Sequence, residues 1–164
     1  QHALKEGIGM AGEEPELHSA KWDQRFMELA AFIAQWSKYP STKVGAVIVD
    51  PRNKRIVSTG FNGLPFGVED TADRLGTREI KYEMVVHAET NALMFAGTQA
   101  NGCTLYVTPL PPCARCAVLI IQSGIRRVVS PKPDTSKEPW KTQFAISSDM
   151  FAEAGVAIDL FDET

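Results

Sequence analysis

Two short segments rich in metal-binding side chains constrain this chain most, because each opens an apolar run. His87-Ala88-Glu89 leads into residues 90–96, and Pro112-Cys113-Ala114-Arg115-Cys116 leads into residues 117–122. The 25 residues between His87 and Cys113 hold one strand-like stretch, 105–108. If both apolar runs are helices lying parallel on one face of a sheet, their N-termini meet. Helix N-termini carry partial positive charge and lower thiolate pKa values, which suits cysteine ligands. One His and two Cys then make three ligands. A tetrahedral zinc so held keeps its fourth position for water, as catalytic zinc does.

Glu89 sharpens this reading. Positions i and i+2 of a regular helix lie about 200° apart. His87 and Glu89 therefore converge only if His87 stands at the helix entry. Glu89 then flanks the metal without ligating it, and is placed to take a proton from bound water and hand it to a leaving group. Alone, C-x-x-C also serves redox and structural sites, and a single helical His is more often a core residue. Jointly, H-x-E followed by P-C-x-x-C is a signature of zinc nucleobase deaminases. A closed structural site would need a fourth protein ligand. Cys103 is the remaining cysteine, and His2 and His18 fall in an expected tail. Cys103 precedes Leu105-Tyr106-Val107 and is expected in the core.

The rest of the chain reads as one domain of residues 20–164, preceded by a flexible tail over 1–19. Gln1 is not an initiator residue, and Met10 is the expected natural start. Asp23 is expected to cap a helix carrying Phe26, Leu29, Ala30, Ile33 and Ala34 at helical spacing, ended before Pro40. Residues 44–49 and 55–61 read as a hairpin, and 62–81 as a long polar loop. A buried helix is expected over 84–96, a strand over 105–108 and a very apolar helix over 113–122. A strand over 127–130, a helix over 144–154 and a strand over 156–160 follow. Helices alternating with strands after a hairpin predict a three-layer α/β/α domain with a mixed five-stranded sheet.

Seventeen basic and twenty acidic residues give a net charge of -3. That excludes a broadly basic face for long nucleic acid but leaves room for a small phosphorylated ligand. No run of about 18 apolar residues is present, so no transmembrane helix is expected. No basic-then-apolar signal segment opens the chain. Three cysteines, two of them in C-x-x-C, fit a reducing compartment, and a cytoplasmic location is expected.

The sequence resembles the deoxycytidylate (dCMP) deaminase family of the zinc-dependent cytidine deaminase superfamily, from about Trp22 to Leu160. The resemblance rests on Val44-Gly45-Ala46-Val47-Ile48-Val49 and on Thr59-Gly60-Phe61-Asn62-Gly63-Leu64-Pro65. It continues from Lys81-Tyr82 through Val86-His87-Ala88-Glu89-Thr90-Asn91-Ala92, Gly102-Cys103-Thr104-Leu105-Tyr106-Val107 and Pro112-Cys113-Ala114-Arg115-Cys116-Ala117. It implies a cytidine deaminase-like fold and one catalytic Zn2+ per chain on His87, Cys113 and Cys116. It implies Glu89 as proton shuttle and Asn62 as a contact to the bound nucleoside. The implied reaction converts dCMP and water to dUMP and ammonia, by attack on C4 of the cytosine ring. A homo-oligomer regulated by dCTP and dTTP, with Mg2+ accompanying the nucleotide effector, is implied as well. The run Thr108-Pro109-Leu110-Pro111-Pro112 is one residue longer than in the best-known members. Val68 stands where several carry Cys, so no accessory metal is expected there, and residues 70–82 match poorly. The alternatives are a deaminase of another cytosine or nucleobase substrate and a non-catalytic, zinc-stabilised nucleotide sensor.

Supporting residues remain open to two readings each. Asn91 lies four residues after His87, on the same helix side, to brace the site or the Asn62 turn or to bond a neighbouring loop. Lys43, Arg74, Arg78, Lys81 and Arg115 are the cations available for a nucleotide phosphate, or are solvated charges. Phe61 and Phe66 either pack or stack near the base. The 62–81 loop is expected to supply part of the 5′-phosphate recognition.

Overall fold

The computed structural model describes residues 17–162, so the expected tail falls almost wholly outside the described residues. Helix α1 (Ala20–Ala34) opens the domain, followed by the hairpin β1 (Gly45–Asp50) and β2 (Arg55–Phe61). Two short helices, α2 (Ala72–Gly76) and α3 (Arg78–Met84), precede α4 (Ala88–Ala96). Then come β3 (Thr104–Thr108), α5 (Ala114–Gln122), β4 (Arg127–Pro131), α6 (Trp140–Ala154) and β5 (Ala157–Phe161). The sheet order is β2-β1-β3-β4-β5. β1 is antiparallel to both β2 and β3, whereas β3–β4 and β4–β5 are parallel. The sheet is therefore mixed and five-stranded, as the sequence predicts.

Alternation along the strands sorts the core into two faces. Val47, Val49, Tyr106 and Val129 pack against Phe26, Met27 and Ala30 of α1. Ala46, Ile48, Leu105, Val107 and Val128 pack against Ala88, Ala92 and Leu93 of α4, Ala117 and Ile120 of α5, and Phe151 of α6. Two glycines permit close helix–sheet approach. A Cβ on Gly45 would lie 2.0 Å from the Ala30 carbonyl oxygen, and one on Gly60 would lie 2.4 Å from that of Ala88. Among the described residues, no helix is long and apolar enough to cross a membrane.

Three local expectations change. Ser19, not Asp23, caps α1, its side chain accepting from the Trp22 N–H at 3.4 Å. Asp23 lies inside the first turn and is drawn to Arg127 of β4, which donates to its two carboxylate oxygens at 2.9 and 2.7 Å. The Tyr106 hydroxyl donates to the same carboxylate at 2.7 Å. The expected polar loop over 62–81 holds α2 and most of α3, each too short for periodicity to reveal; Thr71 caps α2 by accepting from the Arg74 N–H. The helix expected from Met84 begins at Ala88 instead. Val85 and His87 are extended, and Val86 pairs with Gly63 through bonds of 3.1 and 2.7 Å.

This topology brings the two ligand segments together. α4 runs toward the start of β3, and α5 leaves from its end. Each therefore lies antiparallel to β3, and both helix N-termini stand at the C-terminal edge of that strand.

Candidate active site

His87 is the residue just before α4, and Cys113 the residue just before α5. Both backbones are extended (ψ 153° and 170°), and neither side chain caps its own helix. The imidazole and the thiol are thereby free to turn toward each other. Cys116, one turn into α5, is buried beneath them. His87 Nδ1 lies 3.2 Å from Cys116 Sγ and 3.6 Å from Cys113 Sγ. The three ligand atoms all fall within 4.8 Å of one another. A tetrahedral zinc with bonds of about 2.0–2.3 Å has ligand–ligand edges of about 3.6–3.8 Å, so this donor set fits that ion. Among the described residues, no other group of three His, Cys, Asp or Glu side chains is close enough to hold a metal. Cys103 is buried in the core and donates its thiol to the Gln99 carbonyl at 3.2 Å, apart from the cluster.

Electrostatics favour a thiolate at Cys113. The Cys116 thiol hydrogen-bonds it and, against the opposing effect of burial, holds its pKa well below the usual thiol range, with help from His87. The Cys113 bond and the burial of Cys116 push the second thiol the other way. Glu89 is 4% exposed. Burial pushes its carboxyl up to about 7, although its own backbone N–H and His87 oppose the change. An acid–base group works best when its pKa is near the working pH.

Glu89, His87 and Cys113 line a cavity of about 760 Å³. Of the residues proposed from sequence, Asn62, Arg78 and Arg115 also reach its wall. Asn62 is 6% exposed, and its side chain is committed to backbone. Its oxygen accepts from the Val44 N–H at 2.9 Å, and its Nδ2 donates to the Thr42 carbonyl at 2.9 Å. Asn91 lies off the wall and donates to the Phe61 carbonyl at 2.8 Å, bracing the turn that carries Asn62. Phe61 also lies off the wall, its ring edge-on to Trp36 at 6.1 Å, and Phe66 is fully exposed. Arg74 is turned onto the Glu69 carbonyl, away from the cavity. Lys81 stands behind the wall, donating to Ser41 at 3.1 Å with its ammonium 4.5 Å from the Tyr39 ring centroid.

Several wall residues escape a reading of the sequence. Tyr39, Ser41 and Thr42 come from the segment between α1 and β1, Tyr82 from α3, and Trp140 and Gln143 from α6. Apart from Tyr82, at the start of the central motif, none belongs to a local motif. The one available signal is the four-residue spacing of Gln143, Ser147 and Phe151 along α6, and that spacing reads equally well as packing.

Residues 20–131, more than half of the chain, match the family model for the cytidine and deoxycytidylate deaminase zinc-binding region. An uncharacterized deaminase in the luxG 3′ region of Aliivibrio fischeri is 46% identical over 140 residues, 85% of this chain and 92% of that protein. The deoxycytidylate deaminase of Homo sapiens is 45% identical over 117 residues, 66% of this chain and 64% of its own length. This chain thus spans slightly less than two thirds of the human relative. Among solved structures, apo dCMP deaminase from the cyanophage S-TIM5 superposes with a TM-score of 0.69 at 25% identity, covering 88% of this chain and 100% of the phage chain. A fold that brings His87 to the two cysteines, and relatives that share its sequence over most of that fold, make the chain a member of the cytidine and deoxycytidylate deaminase zinc-binding family.

Proposed function

We propose that the protein is a zinc-dependent hydrolase that converts dCMP and water to dUMP and ammonia. The observation that carries this is the buried carboxyl of Glu89 beside three converging metal ligands, in a cavity whose wall also holds two arginines. His87, Cys113 and Cys116 hold the zinc, which when bound supplies Lewis-acid activation of water. Glu89 takes one proton from the attacking water at its carboxylate and delivers it to ring nitrogen N3 of the cytosine. It then takes the proton of the new C4 hydroxyl and passes it to the amino group leaving C4. Water supplies the oxygen of the product carbonyl, and the C4–N bond breaks to release ammonia. The Asn62 side chain, clamped to residues 42 and 44, holds the wall facing the base and sugar. Relatives named deoxycytidylate deaminases support the nucleotide as substrate.

Arg78 and Arg115 are the arginines on the cavity wall, and they take the 5′-phosphate. Arg78 comes from the segment expected to read it and also donates to the Tyr82 hydroxyl at 3.0 Å. Initial rates on dCMP, deoxycytidine and cytosine test this, for the parent and for Arg78→Ala, Arg115→Ala and Arg74→Ala. One lost charge-assisted bond lowers kcat/KM for dCMP by about ten- to a hundredfold. Arg78→Ala and Arg115→Ala lose that much on dCMP with little change on deoxycytidine, and Arg74→Ala matches the parent. A parent that turns over deoxycytidine as well as dCMP overturns the nucleotide assignment. Met94 and Phe95 of α4 and Val118 and Leu119 of α5 expose apolar side chains, which supports a homo-oligomer. Two cysteines in a zinc site and Cys103 outside any disulfide support a reducing, cytoplasmic setting.

A further inference from the structure

Cys113 stands at a helix start whose first N–H groups have no partner within the helix. A residue in that place ordinarily caps the helix with its own side chain. Cys113 does not, because its sulfur turns toward His87 Nδ1. The need is met from α6. Gln143 Oε1 accepts the Ala114 N–H at 2.9 Å. One turn further along the same helix face, the buried Ser147 hydroxyl donates to the Pro112 carbonyl at 3.2 Å. These two bonds fall on the residues immediately before and after Cys113. Phe151, one more turn along, is fully buried in the core with Ala117 and Ile120 and anchors the same face of α6. α6 lies beyond residue 131, where the family match ends.

We propose that Gln143, seconded by Ser147, is a positioning residue of the metal centre: α6 grips the backbone on both sides of Cys113 and holds its sulfur at ligand distance. Gln143 supplies an acceptor without adding charge beside two thiols and Glu89. A cysteine whose backbone can swing must give up conformational freedom when it binds metal, so loss of the grip appears as weaker metal affinity. The proposal rests on the zinc reading given above but not on the identity of the substrate.

The test uses Gln143→Met, which keeps length and bulk but removes the acceptor, and Gln143→Glu, which keeps an acceptor oxygen. Zinc affinity is measured by chelator competition, and the cobalt-substituted proteins are compared by their thiolate-to-metal and d–d absorption bands. Removing a group that orients a metal ligand costs about 10- to 100-fold in affinity. Gln143→Met is expected to lose that much and to shift the cobalt bands, while its metal-free melting temperature falls only by the few degrees that a lost helix cap costs. Gln143→Glu, which keeps the acceptor and adds a negative charge near the cation, is expected to hold zinc at least as tightly as the parent. Ser147→Ala should weaken zinc in the same direction. Parent-like zinc affinity and cobalt spectra in Gln143→Met overturn the proposal. So does a metal-free Gln143→Met protein destabilised as much as the loaded one, which would make the contact ordinary packing. Zinc stoichiometry of the parent, measured first, tests the metal reading alone, and a parent that binds none overturns both.

Discussion

Replacing Gly60 by alanine probes how tightly the sheet positions the chemistry. Gly60 lies in β2 beneath α4, the helix that begins right after His87 and carries Glu89. A Cβ there would stand 2.4 Å from the Ala88 carbonyl oxygen, 2.6 Å from the Ala92 nitrogen and 3.0 Å from Asn91 Cβ. Two of these are helix backbone, so no side chain can rotate away to make room. Ordinary contact begins near 3.4 Å, so α4 must retreat from the sheet by about 1 Å, a displacement that costs ~10²-fold when it misplaces reacting groups. Overpacking of this kind also destabilises by about 1–3 kcal/mol. At about 2–4 °C per kcal/mol for a chain of this size, the melting temperature falls by roughly 2–12 °C. Gly63→Ala is the control, because a Cβ at Gly63 meets nothing within 4 Å. The assay is kcat on saturating dCMP with zinc-loaded protein, alongside thermal melting and zinc content. Gly60→Ala should fall in both kcat and melting temperature while Gly63→Ala stays near the parent. A Gly60→Ala protein with parental kcat would refute the coupling between the β2–α4 contact and Glu89, whatever its stability.

Glu89→Gln should keep zinc and fold yet lose about 10²- to 10⁴-fold in kcat, and an unchanged kcat in the zinc-loaded variant would remove Glu89 from the reaction. Cys103→Ser should bind zinc in the same amount as the parent, since Cys103 bonds Gln99 and lies outside the ligand cluster; loss of zinc by elemental analysis would count against the three-ligand site. Asp23→Asn leaves the buried Arg127 with Asp159 as its remaining carboxylate and should cost about 1.5–3 kcal/mol near neutral pH, measured by denaturant unfolding. Burial alone would raise the Asp23 pKa, but the Arg127 and Tyr106 hydrogen bonds bring it below the usual value. A carboxylate with a depressed folded pKa stabilises fully above its unfolded value of about 3.9 and loses that contribution as pH falls through the folded value. The gap between parent and Asp23→Asn should therefore narrow in acid below about pH 4; a constant gap would show that Asp23 does not act through its charge.

The donor set is legible in sequence because its geometry is mostly local. C-x-x-C places two sulfurs one helical turn apart, and H-x-E at a helix entry turns an imidazole and a carboxyl the same way. Continuous apolar runs likewise mark the central strands, which are buried on both faces, and helical spacing marks helices with one buried face. Tertiary structure decides what depends on partners far along the chain. Asp23 has the chemistry of a helix cap, but a guanidinium 104 residues away claims it and leaves the cap to Ser19. Of the cations open to a phosphate reading, Arg78 and Arg115 reach the cavity wall, whereas Arg74 bends back onto Glu69. Asn91 could be placed on the His87 side of its helix, yet only the packing of α4 on β2 joins it to the Phe61 carbonyl. Gln143 and Ser147 carry only a four-residue spacing that reads equally well as packing, because their partners lie across the α5–α6 interface. Residue type and spacing thus determine which groups this protein has for its chemistry. The direction of each long side chain is set by neighbours in space, and the folded sheet and its helices determine which of those groups meet.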